Sequence, residues 1–100
     1  MKLKPVDYLP GAQLDLEESA AWYEQQEPGV GYRFQQAVAL TERKLQREPQ
    51  LGPPHRRHTR KWRVPGFPHN IVYREEAGRI LIVAVAHPKR REDYWHYRLD

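Results

Sequence analysis

The sequence predicts an α+β fold of order β-α-α-β-β-β, a curved antiparallel sheet covered by an N-terminal helical hairpin. Three observations lead there. Apolar residues recur at helical spacing over residues 12–47. Segments over residues 58–87 either alternate or are apolar on both faces. The connections between those later segments are of hairpin length. One hundred residues bound the whole to one domain, 1–100, with a single modest core.

"LKPVDYL" (Leu3 to Leu9) alternates weakly and predicts a short strand, which Pro5 confines to an edge or a bulge and which Pro10-Gly11 ends. From Ala12 the stripe Ala12, Leu16, Ala20, Tyr23 predicts a helix to Gln26. Asp15, Glu17 and Glu18 fall early in it, where negative charge suits the helix dipole. "EPGVG" breaks this helix, and a second stripe of Val30, Phe34, Val38, Thr41 and Leu45 predicts another over Val30 to Arg47, stopped by "EPQLGPP". A short turn between two amphipathic helices makes an antiparallel hairpin, which needs something flat to cover.

The second half supplies it. "HTRKWRV" (His58 to Val64) alternates, with Trp62 and Val64 on one side and Lys61 and Arg63 on the other. "PGFP" is a turn, "HNIVYRE" (His69 to Glu75) is rich in β-formers, and "EAG" is a tight connection. "RILIVAVAH" (Arg79 to His87) is apolar on both faces and therefore a strand flanked on both sides. The expected core is Leu16, Tyr23, Phe34, Val38, Leu45, Ile71, Tyr73, Ile82 and Ala84. The pattern of "REDYWHYRL" is compatible with a closing helical turn or an extended tail.

Composition excludes several classes. Without cysteine there is neither a disulfide framework nor a thiolate metal site. The start "MKLKPVDYLP" has no apolar run suited to a signal peptide, and "ILIVAVA" is far too short for a membrane span, so a cytoplasmic protein is expected. Residues 1–50 carry six Lys/Arg and eight Asp/Glu, whereas residues 51–100 carry eleven and five together with all five histidines. That imbalance points to an acidic or polyanionic partner as readily as to a merely soluble cationic surface. "HRRH" (His55 to His58) places two arginines between two imidazoles, which repel a dication; no metal or other cofactor is expected.

Taken with this order, several stretches resemble the RelE/ParE superfamily, toxins of bacterial type II toxin–antitoxin systems (plasmid stabilisation proteins). They are "A..LDLEESAAWYEQQEPGVGYRF" (Ala12, then Leu14 to Phe34), "L...P" (Leu45 to Pro49), "FPHNIVY" (Phe67 to Tyr73) and "ILIVAVAHPKRREDYW" (Ile80 to Trp95). The resemblance implies a toxin held by a cognate antitoxin, with the ligand near the end of the last strand. Its RelE-like branch cleaves messenger RNA on the ribosome, and its ParE-like branch inhibits DNA gyrase by binding it. Metal-free RNA cleavage needs a general base, a general acid and a held cation. If the chain is a nuclease, His87, Arg91 and Arg63 are the catalytic candidates. The RNA-cleaving branch leads one to expect an arginine near the start of the middle strand, where this chain has His69 and Asn70. That departure favours binding, with Arg60, Lys61, Arg63, His69, Arg90, Arg91, Tyr94 and Trp95 as the expected contacts for target and antitoxin. An inactive relative serving as a binding module is a further alternative.

Overall fold

The computed structural model describes residues 2–99. Its elements are β1 (Val6–Tyr8), α1 (Pro10–Gln26), α2 (Val30–Arg47), β2 (Pro54–His55), β3 (Thr59–Arg63), β4 (Asn70–Glu75) and β5 (Ile80–Ala86), followed by a 3₁₀ turn at His96–Leu99. The expected order holds, with β2 as an added two-residue edge. The five strands lie in the order β1-β5-β4-β3-β2.

The sheet is mixed. β3, β4 and β5 form the expected antiparallel meander, but β1 joins β5 in parallel, with Val6 opposite Ile80 and Tyr8 opposite Ile82. The helical hairpin carries the chain to β2 at the far edge, and the meander then brings β5 back beside β1, the long connection that a parallel pair requires. Pro5 lies just before β1 on the sheet edge, where its missing N–H breaks no ladder.

α1 starts at Pro10, two residues earlier than predicted, because proline at the first helical position gives up only an N–H that has no intrahelical partner. Asp15 therefore lies beyond the first turn, and no acidic residue complements the dipole there. α2 has the predicted bounds. Between the helices Gly29 adopts φ 92°, and the Glu24 carboxylate accepts hydrogen bonds from the Gly29 and Gly31 amides at 2.9–3.1 Å. Gly31 is where the helices come closest: a Cβ there would lie 2.4 Å from the Ala20 carbonyl oxygen.

The core between the helices and the sheet contains Phe34, Val38, Leu45, Ile71, Tyr73 and Ile82, with Leu16 and Tyr23 half-buried against it. Ala84 does not join it. β4 pairs Val72 with Ala84 but Tyr73 with Ile82, leaving Val83 as the extra residue of a β-bulge. Val83 and Ala84 consequently both face away from the helices, and Val85 turns back toward them. Past the bulge the inside-outside alternation runs in the opposite phase.

Candidate functional site

The reversed phase at Val85 builds an internal polar junction. Asp15, on the buried side of α1, accepts a hydrogen bond from the Val85 amide at 3.1 Å. The same Oδ2 accepts from the Tyr94 hydroxyl at 2.9 Å and from Arg98 Nη1 at 2.8 Å, while Oδ1 accepts from Arg98 Nη2 at 3.2 Å. Arg98 Nη1 also donates to the Val83 carbonyl at 3.0 Å, within the bulge itself. Asp15 and Arg98 are both more than nine-tenths buried. Burial alone would lower the Arg98 pKa, but its interactions with Asp15, Tyr97 and Tyr94 together more than reverse that; burial and the Asp15 charge push the Tyr94 hydroxyl up.

This junction fastens the C-terminal segment across the sheet face opposite the helices. There Trp95, 1% exposed, packs with Val72, Leu81, Val83 and Ala84 in a second core. The tail is thus a folded cover, and Trp95 is its plug. The expected role of Trp95 as an exposed contact is corrected accordingly: a strand that is apolar on both faces needs a cover on each.

Above that cover lies a cleft of about 270 Å³ whose walls include Lys61, Asn70, His87, Arg90 and Arg91. Arg91 has a side chain 85% exposed, and its contact with Asp93 is a loose 3.6 Å. Arg90 stacks on the Tyr94 ring at 4.0 Å, so the half-buried tyrosine orients a cation and does not present a free aromatic face. His87 Nδ1 accepts from the Lys89 amide at 3.0 Å, which fixes the imidazole at the rim.

The other expected contacts lie elsewhere. Arg60 faces the helix side of β3 opposite Tyr73 and donates to the Gln50 and Gly52 carbonyls at 3.3 and 2.8 Å, strapping the loop after α2. Arg63 closes the β3–β4 turn through the Phe67 carbonyl at 3.1 Å and is not part of the cleft wall. Of the three residues expected for cleavage, then, His87 and Arg91 share the cleft and Arg63 does not. His69 is 3% exposed and packs edge-to-face on Phe34 at 4.8 Å, so it is not part of the cationic cleft.

Sequence reading missed Asp15 and Arg98 as partners. A carboxylate three residues after Ala12, on the apolar stripe, was the available signal for Asp15. Nothing marked Arg98.

Burial, reinforced by the nearby His87, pushes the His69 imidazole down to about 4 from 6.5. Between those values the unfolded chain binds a proton that the folded chain refuses, so stability rises with pH there. It should be level above pH 6.5 and fall by on the order of 2–3 kcal/mol as pH drops toward 4. Urea midpoints across pH 4–8 should trace this slope, and His69→Phe should flatten most of it. An unaltered slope in that variant would assign the effect to other groups.

Among the described residues, no helix is long and apolar enough to cross a membrane. The backbone superposes on a chain of the solved structure titled "Chromosomal ParDE TA system from P. aeruginosa" with a TM-score of 0.73 and 16% identity, covering 85% of this chain and 96% of that one. At that identity the likeness concerns the fold. No curated protein matches the sequence significantly. Residues 6–94, nearly nine-tenths of the chain, match the family described as the ParE toxin of the type II toxin–antitoxin system parDE, and the chain belongs to that family.

Proposed function

We propose that the chain is a cytoplasmic toxin that acts by binding a target protein such as DNA gyrase, and that a cognate antitoxin neutralises it. The observation that carries this reading is the cleft, where Lys61 on β3 meets Arg90 and Arg91 on the packed C-terminal cover, with Glu92 the one acid in its lining. Such a surface suits an acidic partner. Metal-free RNA cleavage needs more, and with Arg63 tied to the β3–β4 turn the expected catalytic group is incomplete.

Lys61→Ala/Arg91→Ala should weaken gyrase-supercoiling inhibition at least about tenfold, the size of one good interface contact, and should relieve growth arrest on induction. Both residues are at least partly exposed, so the fold should survive. Undiminished inhibition by this variant would refute the cleft as the binding surface. His87 beside Arg91 is the one feature that favours the RelE-like messenger RNA endonuclease alternative. There, His87→Ala should remove cuts seen by primer extension by about 10²-fold or more, a result that would overturn the binding reading. If induction causes no growth arrest at all, the inactive-relative alternative holds.

A further inference from the structure

A second pocket, of about 220 Å³, opens between α1 and the ends of β4 and β5. Trp22, Tyr23, His69 and His87 supply rings to its walls, and Asp15, Glu18, Ser19, Val85 and Arg90 also line it. It is smaller than the roughly 300 Å³ of small-molecule sites, a size suited to one large side chain. We propose that this pocket anchors a tyrosine side chain carried by an acidic segment of a protein partner. This deepens the binding reading above and rests on it.

Three observations select that occupant. Four of the lining residues are rings already arranged edge-to-face, Trp22 on Tyr23 at 5.2 Å and His69 on His87 at 5.0 Å, and such a wall favours another ring. Trp22 is 57% exposed, a large apolar surface left at the mouth of the pocket. His69, buried at 3% exposure, has an Nδ1 with no hydrogen-bond partner. Leaving a buried polar atom unpaired is costly, so a guest that pairs it gains affinity. That nitrogen has almost no exposed surface in the free protein, so a guest must part the lining rings to reach it; a hydroxyl at the guest's ring tip can then satisfy the imidazole, whereas a plain phenyl ring cannot.

The acidic character follows from continuity. His87 and Arg90 line both this pocket and the cationic cleft. A chain anchored by its ring here must run over Arg90, and its neighbouring residues then face Lys61 and Arg91. The bulge at Val83 makes this possible, because it turns Val85 toward the helix side and the strand then delivers His87 to the shared rim.

The test is a titration of the isotope-labelled protein, followed by NMR, with a short acetylated peptide of acidic residues flanking one tyrosine. Matched peptides carry phenylalanine or alanine in its place. The tyrosine peptide should bind about tenfold more tightly than the phenylalanine one and should shift the Trp22 indole resonance. In His69→Phe the tyrosine preference should shrink to within about twofold while the peptide still binds. In Lys61→Ala/Arg91→Ala both peptides should weaken together. Equal affinity for tyrosine and phenylalanine on the unmodified protein overturns the proposal. So does binding without a Trp22 shift, no binding at millimolar peptide, or sedimentation showing Trp22 covered by a second copy of the chain. Supercoiling inhibition is read separately: gyrase inhibition without tyrosine preference sinks the anchor alone, and tyrosine preference without inhibition sinks the gyrase reading alone.

Discussion

Asp15→Leu is expected to destabilise the protein by about 3–5 kcal/mol, because it strands the Arg98 cation in a buried site. It also leaves the Val85 amide without its acceptor. Against a typical domain stability of about 5–15 kcal/mol, that is a large share. Urea unfolding should show a lower midpoint with little change in slope. Arg98→Met should be nearly as harmful, since it leaves a buried carboxylate facing only an amide and a phenol. The pair is the decisive measurement. Asp15→Leu/Arg98→Met removes both charges together and should recover at least about 2 kcal/mol relative to the sum of the single losses. Strict additivity would mean that the two side chains are not energetically coupled.

Trp95→Ala should cost a comparable amount, about 3–5 kcal/mol, by leaving a void over Val72, Leu81, Val83 and Ala84. The damage should begin locally. The segment from His87 onward loses its plug while the helical hairpin keeps its own core, so trypsin should cut at Lys89, Arg90 and Arg91 much sooner than in the unmodified protein. Target binding should fall as well, since Arg90 and Arg91 ride on this segment. Trp95→Phe should restore most of the protease resistance and most of the binding. If Trp95→Ala keeps its unfolding midpoint but loses activity, Trp95 is an exposed contact after all and the second core is wrong.

Local features of the fold were legible and long-range ones were not. α2 could be bounded to the residue because its apolar stripe is interrupted by Pro28-Gly29 before it and by Pro49 after it. The meander followed from short connections. The parallel pairing of β1 with β5 joins residues 74 apart, and no periodicity records such a partner. The bulge was hidden because "ILIVAVA" is apolar throughout, so a one-residue change of phase leaves no mark on the pattern. The tail stays open between a closing turn and an extended end for a different reason. Its arginines and acids give "KRREDYWHYRL" no deciding periodicity, yet β5 is apolar on both faces, and the hairpin can cover only one. Lys61, His87, Arg90 and Arg91 share one cleft because β3 and β5 flank β4 and the last three residues follow just past the end of β5. His69 lies outside that cleft, and only packing shows that the Tyr23, Phe34 and His87 rings surround it.

The parallel seam between β1 and β5 also sets a clock on biosynthesis. Tyr8 is made 74 residues before its partner Ile82, which at roughly 5–20 residues per second is a delay of about 4–15 s. During that interval the growing chain holds two amphipathic helices with no sheet to cover. Asp15 waits longer still, until Arg98 is made. The seam therefore closes only once β5 is made, and the Asp15–Arg98 pair that clamps the basic cover closes later still. A ribosome that stalls before β5 releases a chain that lacks the cleft altogether, so the proposed binding surface exists only in chains extended past Arg91.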